Sequence, residues 1–193
     1  MPPKVDDRSP LELADRLATH LEAAAIPYAL GGALCMGTWG YVRGTKDVDL
    51  NVFVSEDRLQ EILPVFAEAG CTFSSDEALR RARERGDMVL WLEGVRVDVF
   101  TAFHAIHRDV ERRRARVPLP SGREVWVLAA RDLVLFKVLF GRSKDWVDIE
   151  RLLGAQIGNI DGDGLVADLV SLLGDDPRIS RLRTLLTQAR GGS

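Results

Sequence analysis

The 193-residue sequence predicts an α/β fold, of the α+β kind in which a mixed sheet with helices is followed by a purely helical C-terminal part. Three observations carry this. Asp47-Val48-Asp49-Leu50-Asn51-Val52 alternates polar and apolar residues with the period of a strand. Residues 88–92 and 95–100 are two β-rich runs separated only by Glu93-Gly94, which is a hairpin signal. From residue 129 onward the patterns are helical, so 1–128 is expected to form an α/β core and 129–190 a helical C-terminal subdomain.

Composition sets the outer limits. With 46% hydrophobic and 28% charged residues the chain can bury one sizeable core, with a smaller appended bundle. A formal charge of −3 argues against a surface that is basic all over, while leaving room for local basic patches. No run reaches the roughly 18 apolar residues of a membrane span, and the start Met1-Pro2-Pro3-Lys4 is unlike a signal peptide. A cytoplasmic location is the expectation. Cys35 and Cys71 lie among apolar or small residues and read as core positions.

Taken in order, Ser9-Pro10-Leu11-Glu12 combines an N-cap, a proline at the first helical position and a Glu three residues after the cap. It opens an amphipathic helix through about residue 25. Ile26-Pro27 ends that helix, and 28–31 reads as a strand. Gly31-Gly32 makes a turn into a short helix over about 32–39. A loop holding Arg43-Gly44-Thr45-Lys46 leads into the aspartate strand, which is expected to run through Val54. Ser55 is expected to cap a helix reaching about Ala69. An arginine-rich polar segment precedes the hairpin, whose two-residue turn places Leu92 opposite Val95, Trp91 opposite Arg96 and Val89 opposite Asp98. A second strand pair from Val117 turns at Pro120-Ser121-Gly122. Residues 129–140 form a helix stopped by Gly141, Ser143 caps another over 144–153, and 163–173 and 177–190 give two more. There are no internal repeats, and only the Gly-Gly-Ser tail reads as disordered.

The chemistry lies in the aspartates and glycines. Asp47 and Asp49 leave one face of their strand while Val48, Leu50 and Val52 face a core. Asp98 stands with Arg96 on the polar face of the second hairpin strand. The three aspartates would meet if those two strands were neighbours, because opposite side chains on paired strands stand about 5 Å apart. Two ionised carboxylates at that separation repel by about 3 kcal/mol at an effective dielectric near 20, a penalty that a divalent cation turns into attraction. A glycine pair opening a helix allows close backbone approach and offers N–H groups to an anion. Carboxylates beside such a turn are the arrangement expected for two magnesium ions and a nucleoside triphosphate. The reaction implied is in-line attack on that triphosphate, driven mainly by positioning and charge neutralisation.

These residues resemble a known family. Gly31-Gly32, Asp47-Val48-Asp49 and Val97-Asp98-Val99, in that order, look like the motifs of the polymerase-β-type nucleotidyltransferase superfamily. Arg43-x-Thr45-x-Asp47-Val48-Asp49 and the later Phe136-Lys137-Val138-Leu139-Phe140-Gly141-Arg142-Ser143-Lys144-Asp145-Trp146-Val147-Asp148-Ile149 are most similar to its minimal and AbiEii-type toxin members. The resemblance covers about residues 26–153. It implies a polymerase-β-type core with a mixed sheet, and magnesium-dependent transfer of a nucleoside monophosphate from an NTP such as ATP to an acceptor hydroxyl or phosphate, with release of pyrophosphate. It further implies that Gly31 and Gly32 contact the triphosphate and that Asp47 and Asp49 bind metal. Asp98 would complete the metal site and assist acceptor deprotonation, and Lys137 would contact phosphate or nucleotide. The toxin-like acceptor it favours is a tRNA or a protein, with a cognate antitoxin as a further partner. The alternatives are an antibiotic nucleotidyltransferase and a non-catalytic nucleotide-binding or toxin–antitoxin partner protein. Many relatives carry Gly-Ser where this chain has Gly-Gly.

Other charged residues have plainer readings beside the functional one. Arg43 and Lys46 flank the aspartates as candidate phosphate contacts, or belong to a solvated loop. Lys137, inside the apolar run 133–140, either snorkels or is aimed at an anion, and the motif around it favours the anion. For Asp145 and Asp148 a structural role is expected. The basic clusters 80–85 and 108–116 could steer a polyanion, but the intervening Glu84, Asp109 and Glu111 favour solvated helix faces. Trp91 and Arg96 are expected to stack as a cross-strand pair. His20, His104 and His107 lack metal-ligand spacing. Asn159-x-Asp161-x-Asp163-Gly164 has Val170 where a calcium loop needs Glu, so a helix cap by Asp explains it better.

Overall fold

The computed structural model describes residues 9–191. The readings made for residues 1–7 and for the tail at 192–193 lie outside the described residues. Two compact units are present. The first holds the described residues up to Leu34 together with Gly44–Leu128, and the second holds Cys35–Arg43 and the described residues from Ala129 onward. The chain therefore leaves the first unit after the glycine pair and returns to it just before the aspartate strand.

In the first unit, α1 (Pro10–Ala23) begins where its sequence dictates. Ser9 accepts the N–H of Glu12, and the Glu12 carboxylate accepts the N–H of Ser9. Six strands follow along the chain: β1 (Tyr28–Leu30), β2 (Asp47–Val52), β3 (Asp87–Leu92), β4 (Val95–Thr101), β5 (Ala115–Pro118) and β6 (Glu124–Val127). They form one mixed sheet in the order β3-β4-β2-β1-β6-β5, with β1–β6 and β2–β4 parallel and the other pairs antiparallel. Met88, Leu90, Val97, Val99, Val48 and Leu50 make a continuous apolar face that is fully buried. Each such side chain contributes about 1.5–3 kcal/mol by leaving water. α1 packs against β2 and against α3 (Leu59–Glu68), bringing Leu13, Leu17, Leu21, Ile62 and Phe66 into this core.

The β3–β4 hairpin has the expected register, Leu92 with Val95, Trp91 with Arg96 and Val89 with Asp98. Its turn residues Glu93 and Gly94 have φ of +52° and +81°, the paired left-handed conformation of a type I′ turn. The stretch after β2 differs from expectation. Ser55 does not cap α3: its hydroxyl bonds the Asp57 carboxylate, its carbonyl accepts the N–H of Arg58 (3.0 Å), and a single three-ten turn intervenes before the helix. The arginine-rich segment is a helix, α4 (Ser75–Arg85), with Ser74 accepting the N–H of Glu77 and Gly86 closing it at φ +73°. A further helix, α5 (Ile106–Arg113), covers most of the second basic cluster.

A short helix, α2 (Gly32–Thr38), carries the chain from the first unit into the second. There, α6 (Ala130–Phe140), α7 (Ser143–Gln156), α8 (Gly162–Leu173) and α9 (Pro177–Gly191) bury Leu133, Val138, Ile149, Leu152, Leu165, Leu169 and Leu182. Gly141, at φ +64°, ends α6 as its position required. The cap of α7 is Arg142 instead of Ser143, because Asp145 accepts the N–H of Arg142 at 3.1 Å and so fixes the start one residue earlier. Asp161 accepts the N–H of Gly164 at 3.0 Å and caps α8, the role read for it in place of a calcium ligand. Cys35 and Cys71 are buried thiols, and burial pushes Cys71 up to about 12. Among the described residues no helix is long and apolar enough to cross a membrane.

Candidate active site

Strand register builds the candidate site on the polar face of the sheet. In the parallel ladder between β2 and β4, Asp49 stands directly opposite Asp98, and Asp47 opposite Arg96. Across the hairpin, Asp98 faces Val89 and Arg96 faces Trp91. On the other flank the N–H of Gly31 donates to the carbonyl of Asp49 at 2.9 Å, extending the β1–β2 ladder one residue past β1. Two rows thus cross the sheet on one face. One contains Val89, Asp98, Asp49 and Gly31; beside it run Trp91, Arg96 and Asp47. The adjacency that the sequence left as a condition is met.

The glycine pair makes room for this row. A β-carbon on Gly32 would stand 1.7 Å from Oδ2 of Asp49, and the residue sits at φ +53°, where a side chain is strained. A β-carbon on Gly31 would stand 3.0 Å from Nδ2 of the buried Asn51. A serine at position 32 would therefore collide with the chain's own aspartate. Gly31 spends its N–H on the ladder, so of the two glycines it is Gly32, where α2 begins, that can turn an amide toward an anion.

Asp98 is held by Arg96, whose Nε and Nη2 lie 2.9 and 2.7 Å from its Oδ1. This hydrogen bond is the main cause that lifts Arg96 above the ordinary arginine value, and the charges of Asp47 and Asp87 add to it. Arg96 therefore does not stack on Trp91 as expected. Residues two apart on a strand share a face, and a charge-assisted bidentate pair outweighs a half-exposed ring contact.

Asp47, Asp49 and Asp98 thus bring three carboxylates to one face of the sheet, with Arg96 on Asp98. Among the described residues no three His, Cys, Asp or Glu side chains close on a common point in the rotamers present. Asp98 turns to Arg96, and Asp49 leans on Gly32. The donors nevertheless fit magnesium in kind, being hard carboxylate oxygens on adjacent register positions.

The second unit holds the other candidates. Lys137 is 5% exposed, and its Nζ donates to Asp148 at 2.6 Å, with Asp145 at 3.8 Å. Asp148 also takes Arg43 at 3.3 Å, and Asp145 takes Arg142 at 2.7 Å. The anion facing Lys137 and Arg43 in this structure is the chain's own Asp148. The cause is the meeting of α6 and α7, which sequence spacing across Gly141 did not display. Lys46 is exposed in the first unit, one residue before Asp47, and Lys144 is exposed on α7.

No family model matches the sequence, and no curated protein matches it. Solved structures do match. The solution structure of the antibiotic-resistance factor ANT(2″)-Ia is similar with a TM-score of 0.54 and 13% identity, over 94% of this chain and 93% of that one. A crystal structure of ANT(2″)-Ia in complex with adenylyl-2″-tobramycin gives 0.54 and 12%, over 94% and 97%. The lincomycin-bound lincosamide antibiotic adenylyltransferase LnuA gives 0.51 and 12%, over 73% of this chain and 94% of that one. At these identities the likeness speaks for the fold, and the AbiEii-type assignment within it is not carried by these structures. The chain has the fold of the polymerase-β-type nucleotidyltransferases.

Proposed function

We propose that this chain transfers a nucleoside monophosphate from a magnesium-bound nucleoside triphosphate, ATP among them, to an acceptor hydroxyl, releasing pyrophosphate. The observation that carries the proposal is Asp98 directly opposite Asp49 on adjacent strands, one row from Asp47 and beside the glycine turn. Magnesium held by Asp47 and Asp49, and by Asp98 in exchange for Arg96, would neutralise triphosphate charge and ease deprotonation of the acceptor. The chain's own part is positioning. Gly32 and the first-turn amides of α2 take phosphate oxygens, with Lys46 as a further cation beside Asp47. Asp98 takes the acceptor's proton.

For the acceptor, the first reading is a tRNA or protein hydroxyl, as in the toxin-like members that the motifs resemble, with a cognate antitoxin as partner and the cytoplasm as setting. The second is a small antibiotic, favoured by the structural likeness to ANT(2″)-Ia and LnuA. Incubation with α-labelled NTPs, Mg²⁺ and cell extract, with tobramycin and lincomycin in parallel, tests both. Label should enter RNA, protein or drug with the wild type and not with Asp49→Asn. Absence of transfer to any of them contradicts the proposal.

A further inference from the structure

We propose that the acceptor is seated on β3, with Trp91 as a stacking platform for a nucleotide ring and Arg96 as the cation for its phosphate. This rests on the nucleotidyl-transfer reading of the site. Strand order fixes the sides. In an in-line displacement the attacking oxygen and the leaving pyrophosphate lie on opposite sides of the phosphorus. The glycine turn continues β1, on one flank of β2, whereas Asp98 is on β4, whose other neighbour is β3. Strands are about 4.8 Å apart, so an acceptor whose hydroxyl reaches Asp98 from the side away from the glycines carries its body over β3.

On that face β3 presents Asp87, Val89 and Trp91. Asp87 is paired with Arg81, and Val89 is half-buried. Trp91 is 48% exposed. Its backbone is fixed on both flanks: the N–H of Thr72 donates to its carbonyl at 2.7 Å, its own N–H donates to Thr72 at 3.0 Å, and Arg96 is its ladder partner. Because both its amide groups turn toward Thr72, Trp91 and Arg96 form the closer, non-hydrogen-bonded kind of antiparallel pair.

A lone exposed aromatic is ordinary on a protein surface. What singles out Trp91 is its neighbour. Arg96 binds Asp98 through Nε and Nη2, which leaves Nη1, on a side chain that is 44% exposed. A rigid ring next to an uncommitted guanidinium donor matches a base and its phosphate. It does not match an ammonium-rich ligand, because Arg96 and Arg81 already neutralise Asp98 and Asp87 on this flank. Such a ring belongs either to a free nucleotide or to the end of an RNA.

The test titrates AMP, adenosine and a short single-stranded oligoribonucleotide into the full-length protein with a non-hydrolysable Mg²⁺–ATP analogue present throughout. Trp91→Ala should weaken AMP binding about tenfold, and Trp91→Phe much less. The preference for AMP over adenosine should disappear in Arg96→Gln, a readout that a merely structural role would leave in place. Tighter binding of the oligoribonucleotide than of AMP identifies an RNA end, and equal binding a free nucleotide. AMP and oligoribonucleotide that both fail to bind wild type, or that bind Trp91→Ala as well as wild type, overturn the platform. A protein without NTP turnover whose AMP binding still depends on Trp91 would overturn the transfer reading and leave the platform standing.

Discussion

The two units of this chain carry the same kinds of charged residue and arrange them in opposite ways. On the first, Asp47, Asp49 and Asp98 stand in adjacent rows of a sheet face with Arg96 as the guanidinium among them, partly open to water. On the second, Lys137 and Asp148 bond each other out of water, with Arg43, Asp145 and Arg142 closing the cluster. A buried pair cannot turn to a ligand without leaving one charge stranded. A like-charged row at a surface relaxes by taking up a cation. The buried charges here are satisfied within the fold, whereas like charges on a strand face offer a place for a cation.

The sharpest way to break this contrast is to remove one charge from each side. Asp49→Asn should cut nucleotidyl transfer by about a thousandfold or more while leaving the thermal melt nearly unchanged, since the carboxylate works on charge developing in the reaction. Label transfer and a melting curve measure both effects. Asp148→Ala should instead lower stability by about 3–5 kcal/mol in urea denaturation, because it strands Lys137. The double variant Lys137→Met/Asp148→Leu should recover most of that loss and keep turnover. A double variant that folds well but is inactive would return Lys137 to the site.

A smaller effect is expected where the two readings touch. Gly32→Ser should cost about 1–3 kcal/mol through its left-handed φ and should displace Asp49, lowering turnover as well. Gly31→Ala, whose new β-carbon meets side-chain atoms alone, the end of Asn51 at 3.0 Å, Leu128 Cδ1 at 3.4 Å and Asp49 Cβ at 3.8 Å, should be milder. The smallest effect concerns a buried histidine. Burial is the main cause that lowers the pKa of His107 in the folded state below its ordinary value. Unfolding would let it take a proton more easily, so its contribution is complete above the unfolded value of about 6.5 and is lost as pH falls through that value toward the folded one. His107→Phe should therefore flatten the stability profile between about pH 7 and 5, measured by urea melts at each pH.

Legibility in the sequence followed the range of the interactions. The hairpin register was readable because Glu93-Gly94 leaves only one way to pair the flanking strands. The common face of Asp47 and Asp49 was readable from alternation alone. That Asp49 would stand opposite Asp98 required a parallel pairing across nearly fifty intervening residues, which periodicity can permit but not dictate. The partner of Lys137 was not legible because it lies on the next helix, beyond Gly141, and α6 shows a cation in an apolar run without showing what neutralises it. The start of α7 slipped by one residue because Asp145 decides the cap, whereas Ser143 has the commoner cap residue type. The collision that requires glycine at position 32 comes from a side chain on another strand, so it is invisible along the chain.

The most direct measurement is calorimetric titration of a non-hydrolysable ATP analogue, with and without Mg²⁺, into wild type, Asp49→Asn and Asp98→Asn. The carboxylates of Asp49 and Asp98, opposite each other across β2 and β4, predict binding by wild type that depends on Mg²⁺ and is lost or severely weakened in both variants. Binding of equal strength in all three proteins, or binding indifferent to Mg²⁺, would contradict the assignment of this sheet face as a metal–nucleotide site.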